Sequence, residues 1–186
     1  MGAVGDTMEW NEEFDTGLAV IDVQHRYIFT LIQRVYHMDN RTDQSAIRQV
    51  VISLERLTRC HFECEELLMA TYDYPESVIH VADHSKLLVE VQGYQDKAVF
   101  SARKLALVLS NWLTSHSMLR DRQLAAHVLQ LRNSADAMTA AAHTGGHGHA
   151  AIDAANSTAW LAWENATREY RDAVANALPD TAFRSI

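Results

Sequence analysis

Proline is nearly missing from this 186-residue chain, which has two prolines and only seven glycines. Long periodic stretches therefore run without a backbone breaker, and little remains from which to build a sheet. Two cysteines are too few for a disulfide framework. No apolar run approaches the ~18 residues that a bilayer crossing needs, so no membrane span is expected. The opening "MGAVGDTMEW" lacks the apolar segment of a secretory leader, which makes a reducing cytoplasm the expected compartment. Basic residues are also short: 16 Lys and Arg against 24 Asp and Glu give a net charge of −8, which argues against a nucleic-acid surface.

What is present is apolar periodicity. Hydrophobic residues make up 48% of the chain, enough for one sizeable core plus an appendage. A first helix is expected over 18–38, with Leu18, Ile21, His25, Ile28, Ile32 and Val35 on one face. "HMDNRTD" ends it. A second, over 43–71, carries Ile47, Val50, Leu54, Leu57, His61, Glu65 and Leu68 at spacings of three and four. After the turn "TYDYPES", Pro75 suits the first position of a third helix. That helix presents His80, His84, Leu87, Val91 and Tyr94 and fades near Val99 and Phe100. Ser101 can cap a fourth, which shows Leu105, Leu109, Trp112 and His116 before its stripe skips to Asp121, Leu124, Val128 and Leu131. At ~100° per residue, five residues carry Asp121 off the His116 face of a regular helix. One widened turn of the π type would bring it back.

Short connections make consecutive helices antiparallel, so the expected fold is all-α, an up-down-up-down four-helix bundle. At ~1.5 Å per residue, His25, His61, Glu65, His80, His84 and His116 then share one level, and the widened turn adds Asp121. Burying five imidazoles and two carboxylates costs several kcal/mol each unless they are paired, and a metal supplies the pairing. One tetrahedral ion would use four ligands; seven point to two metals with the carboxylates as bridges, and imidazole with carboxylate suits iron. Cys60 and Cys64 sit about 100° round the helix from His61 and Glu65 and read as filler. His37 and His127 fall outside the layer, and Glu63 and Glu66 read as solvated.

The stretches "MEWNEEFDTGLAVIDVQH", "HFECEELLM", "YPESVIHVADH" and "WLTSHSMLRD" together resemble the hemerythrin family, in particular its bacterial members, over about residues 8–132. The resemblance implies two non-haem iron ions that bind O2 reversibly, for carriage, storage or delivery, in a protein that is not an enzyme. By motif position it assigns His80, His84 and His116 to one iron and His25 and His61 to the other. Glu65 and Asp121 would bridge the two, together with a solvent-derived oxo or hydroxo group. Oxygen-activating di-iron bundles carry a Glu-x-x-His motif on each of two helices, an arrangement this chain lacks. By the same analogy the O2 pocket is lined by Ile28, Phe62, Trp112, Leu113 and Ser117. Ser117 stands where the family has a bulky aliphatic, and Leu87 where it has an aromatic, so the pocket is expected to be looser and wetter. An O2 or redox sensor and a peroxide- or nitric oxide-reducing enzyme are the alternatives.

The last third departs from the bundle pattern. The chain divides into an arm (1–17), the bundle (18–135), an Ala/Gly/His-rich linker (136–155) and a C-terminal amphipathic helix with its tail (156–186). In the linker, "AHTGGHGHA" could catch a metal weakly through His143, His147 and His149 or be a plain spacer. The final helix carries Trp163, Ala166, Tyr170, Ala173, Val174 and Ala177 on one face. That face needs cover, either from the bundle or from a partner, another copy included.

Overall fold

Apart from short turns, the computed structural model is helical throughout the residues it describes: 10–38, 43–142 (with side chains to 134), 157, 160–165, 167, 168 and 172. A short 3-10 turn, Glu12–Phe14, precedes α1 (Ala19–His37), α2 (Gln44–Thr71), α3 (Ser77–Gln95) and α4 (Ala102–His116). A π turn, Ser117–Asp121, joins α4 directly to α5 (Arg122–Ala142). The widened turn expected from the skipped stripe is thus present in the backbone, and α4 and α5 together form the fourth limb of the bundle. α1 packs on both α2 and α4, and α2 packs on α3.

Local chemistry sets most of the ends. Ser101 accepts a hydrogen bond from the amide of Lys104, capping α4. Asp22 reaches back from the first turn of α1 to accept from the amides of Thr16 and Gly17 and from the Thr16 hydroxyl. The chain can turn there because Gly17 has φ +87°, which a side chain would resist although space for a Cβ is available. Pro75 is not the first residue of α3. It occupies the second position of a turn closed by the Ser77 amide on the Tyr74 carbonyl, where its fixed φ is equally suitable, and the helix begins at Ser77. α3 also stops at Gln95, four residues short of Val99. Its carbonyl end is instead gripped by Arg48 of α2, whose guanidinium donates to the carbonyls of Gln95, Lys97 and Ala98.

The apolar core is divided in two. The larger cluster includes Ile28, Leu31, Val35, Val50, Leu54, Leu57, Leu105 and Leu109. The smaller gathers Leu18, Ile21, Leu68, Met69, Leu124, Ala125 and Val128. On each limb the gap between them holds polar residues: His25 on α1, His61 and Glu65 on α2, His80 and His84 on α3, and His116, Ser117 and Asp121 on the fourth limb. The core closes at Val128 and Leu129, so Leu131, expected in the buried stripe, is 42% exposed. In the C-terminal segment residues 160–165 are helical, and Trp163 is buried with its ring edge-on to Tyr27 of α1, 5.9 Å away. Residues 136–142, expected in the linker, instead continue α5, while the linker histidines and the rest of the face from Ala166 to Ala177 lie outside the described residues.

Candidate metal centre

Seven polar side chains meet in the gap between the two apolar clusters. α1 supplies His25, α2 His61 and Glu65, α3 His80 and His84, α4 His116, and the π turn Asp121. Four of them, His25, Glu65, His80 and Asp121, are completely buried. The π turn explains how His116 and Asp121 both face inward: its outer residues, Met118 and Leu119, are about half exposed, while Ser117 and Asp121 are fully enclosed.

The seven form two overlapping groups of mutually close donor atoms, one of Glu65, His80, His84, His116 and Asp121, the other of His25, His61 and Glu65. Glu65 belongs to both. Its Oε1 lies 3.5 Å from His61 Nε2 and 3.9 Å from His25 Nε2, while its Oε2 lies 3.1 Å from His84 Nε2 and 3.5 Å from His80 Nε2. Asp121 is divided in the same way, with Oδ2 3.2 Å from His25 Nε2 and Oδ1 3.1 and 3.2 Å from the Nε2 atoms of His80 and His116. Imidazole nitrogens also face one another: His25 and His61 at 3.1 Å, His84 and His116 at 3.1 Å, His116 and His80 at 2.9 Å.

Those separations are those of donors on shared ions. Two donors at right angles on one ion, each about 2.1 Å from it, lie about 3 Å apart. All four carboxylate oxygens of Glu65 and Asp121 are buried without a hydrogen-bond partner, a costly state that a cation relieves. The residues therefore fit a metal of the hard-to-borderline kind that imidazole and carboxylate bind.

The metal-free electrostatics are correspondingly extreme. Burial raises the Glu65 carboxyl and the nearby Asp121 charge adds to this, but the imidazoles of His61, His80 and His84 outweigh both and hold it far below the usual range. Asp121 is likewise held well below its usual value, with burial opposed by His116, His25 and His80. Burial dominates at His61 and depresses its pKa to about 3. At His80 burial also lowers the pKa, but Asp121 and Glu65 together push it up to about 9. His25 is raised too, because Asp121 and Glu65 overcome its burial. The carboxylate pair thus attracts positive charge, which protons on some imidazoles supply when a metal does not.

Outer contacts orient the rings. The Gln24 amide oxygen lies 2.9 Å from His61 Nδ1, in place to accept its proton and leave Nε2 with a lone pair facing inward. Glu66 Oε1 approaches His84 Nδ1 at 3.6 Å. Phe62 stacks on His84 with centroids 3.8 Å apart, and Trp112 stacks on His116 at 4.2 Å. Sequence reasoning passed over Gln24, although a polar residue four before Ile28 and seven before Leu31 on a buried face was a readable signal. It set Glu66 aside as solvated, and nothing in local spacing marks its approach to His84.

Ile28, Phe62, Trp112 and Leu113 line one narrow cavity together with His61, Ile32, Leu54 and Leu109. Its volume, about 10 Å³, is close to the least that can hold a water-sized molecule. Ser117 is not part of this lining. Its hydroxyl instead meets His25 Nδ1 at 3.2 Å and donates to the Phe14 carbonyl at 2.8 Å, so it has no free donor facing the cavity. Leu87 does reach the lining.

The remaining candidates lie outside the layer. His127 Nε2 meets the Tyr72 carbonyl, His37 packs on the ring of Tyr36, and Glu63 is exposed. Cys60 lies at the edge of the larger core cluster, and burial pushes the Cys64 thiol up, away from the thiolate that would bind a metal.

Comparison with known proteins shows the family. The chain is 31% identical over 112 residues to a bacteriohemerythrin of Pseudomonas aeruginosa, an alignment covering 58% of this chain and 72% of the relative. It is 28% identical over 130 residues to a bacteriohemerythrin of Stenotrophomonas maltophilia (65% and 84% covered), and 23% over 124 residues to one of Clostridium acetobutylicum (61% and 95%). No solved structure gives a significant match. The family profile described as "Hemerythrin HHE cation binding domain" matches residues 16–128. That span holds every residue of the buried imidazole and carboxylate layer, and it exceeds half of the chain: this is a metal-binding member of the hemerythrin family.

Proposed function

We propose that the protein binds O2 reversibly at a non-haem di-iron centre and serves in its carriage, storage or delivery. The observation that carries the reading is the division of Glu65 and Asp121, each of which turns one oxygen toward the His25 side and the other toward the His80 side. Two carboxylates placed between two sets of imidazoles suit two ions better than one. His80, His84 and His116 would hold one iron and His25 and His61 the other, with an oxo or hydroxo group completing the bridge. When bound, a pair of ferrous ions would supply the two electrons that reversible O2 binding requires.

The chain's own residues do the rest. Five neutral imidazoles and only two carboxylates leave the pair of ions with little anionic charge, which works against irreversible oxidation. The position with two histidines lies next to the narrow cavity, since His61 lines both. Ile28, Phe62, Trp112 and Leu113 exclude water there, and water promotes loss of reduced oxygen species. We assign binding rather than turnover to this site, and the bundle rather than the C-terminal segment as its seat. Iron content and an optical spectrum taken before O2, after O2 and after argon test the reading together.

Sensing is a second reading, favoured by one observation. Trp163 of the C-terminal segment packs on Tyr27, two residues along α1 from His25. A change at His25 could therefore alter how that segment docks. Docking of Trp163 that is the same with and without O2 would leave binding as the whole function.

A further inference from the structure

Helical serines and threonines usually return their hydroxyls to a carbonyl of their own helix. Thr30, Ser53, Thr58, Thr71, Ser85 and Thr114 do so in this chain. Ser117 does not. Fully buried at the start of the π turn, it reaches 103 positions back in sequence to donate to the carbonyl of Phe14. A hydroxyl has one proton and a carbonyl can only accept. With that proton committed to Phe14, Ser117 Oγ must accept from His25 Nδ1, 3.2 Å away. The bond fixes one ring proton on Nδ1 and keeps Nε2, which faces His61 and Asp121, as the nitrogen available to a metal.

Phe14 closes the 3-10 turn of an N-terminal segment that is itself fastened to the site end of the bundle. Arg122, one residue beyond the π turn, donates to the carbonyls of Asp15 and Glu13. The Trp10 indole donates to Asp15, and its ring packs on Phe14, Phe29 and His25. Residues 10–15 thus contact His25 by two routes, a hydrogen-bond chain and a ring.

We propose that Ser117 is a positioning residue that fixes His25 for metal binding and links occupancy of the metal position held by His25 and His61 to docking of the N-terminal segment. This rests on the metal reading of His25 and not on O2 chemistry. Linkage is reciprocal: whatever the docked segment adds to metal affinity, bound metal adds to the docking of the segment.

The test uses the full chain, an anaerobic Fe2+ binding isotherm and amide hydrogen exchange over residues 12–17. In the unmodified protein Fe2+ slows exchange in that segment. Ser117→Ala weakens one of the two Fe2+ equivalents by about 10- to 100-fold, the usual effect of losing an outer partner of a ligand, and abolishes the metal-dependent slowing. Ser117→Thr, which keeps the hydroxyl, restores both. Arg122→Gln frees the segment without touching any site side chain, and it weakens the same equivalent by several-fold. The proposal is overturned if Ser117→Ala binds both equivalents as tightly as the unmodified chain, or if it weakens both alike, as a purely structural lesion would. Exchange in residues 12–17 that is indifferent to Fe2+ also overturns it. His25→Ala should lose the same equivalent; retention of both would sink the metal reading of His25 itself.

Discussion

The phenyl ring of Phe62 lies flat on the imidazole of His84, with centroids 3.8 Å apart and planes 4° apart, although the two residues come from different helices. Phe62 also lines the narrow cavity and abuts Trp112, which stacks on His116 in the same manner. One side chain therefore packs the core, walls the cavity and holds a ring in place. Phe62→Ala is expected to destabilise the metal-free chain by about 3–5 kcal/mol and to speed oxidation of the loaded protein by admitting water. Urea unfolding and the decay of the O2-dependent spectrum measure the two effects. A loss below about 1 kcal/mol would mean that the core refills the space.

Glu65→Gln and Asp121→Asn keep volume and remove one negative charge each. Each carboxylate faces both groups of imidazoles, so either change should lower iron content from about two per chain to about one or less. Inductively coupled plasma analysis of purified protein reads this directly. Full iron content in both variants removes the bridging role.

Between pH 6.5 and 9 the metal-free and loaded proteins should respond oppositely to rising pH. His61, at about 3 in the folded chain against the usual 6.5, must stay neutral while the unfolded chain takes a proton. Stability accordingly falls as pH drops below 6.5. Glu65 and Asp121, held below their usual 4.5 and 3.8, add stability above those values and lose it as pH falls further. His80 acts in the other direction: raised from 6.5 to about 9, it contributes fully below 6.5 and loses that contribution as pH rises to 9. At 1.36 kcal/mol per unit the loss is about 3 kcal/mol. Metal requires the neutral imidazole, so the loaded protein should instead gain stability over the same interval. Urea midpoints near pH 6.5 and 9, with and without a chelator, decide it; parallel slopes would contradict the assignment of His80.

Trp163→Ala should cost about 3 kcal/mol, because it empties the space beside Tyr27. The mass by light scattering should not change. Dissociation of an oligomer without loss of stability would place Trp163 between chains instead.

Much of this was legible because a helix converts sequence spacing into direction and height. His61 and Glu65, four apart, had to share a face, and fifteen residues from Ser101 returned His116 to their level. The π turn was legible for the same reason: no regular helix points both His116 and Asp121 inward. The role of Ser117 was not legible, since it depends on the carbonyl of Phe14, and a backbone atom leaves no mark in a side-chain pattern. Resemblance places Ser117 in the O2 pocket; the widened turn aims its hydroxyl at His25, outside the lining of the narrow cavity. The ends of α3 were misjudged because Val99 and Phe100 continue the apolar run after Arg48 has already closed off the helix carbonyls.

The most direct test of the central claim is an anaerobic Fe2+ titration followed by an optical spectrum as O2 is admitted and then swept out with argon. Saturation at two equivalents per chain, with a visible band that appears with O2 and vanishes with argon over repeated cycles, is the predicted result. Saturation at one equivalent, or a spectrum that changes once and never returns, would contradict reversible binding at a two-iron centre.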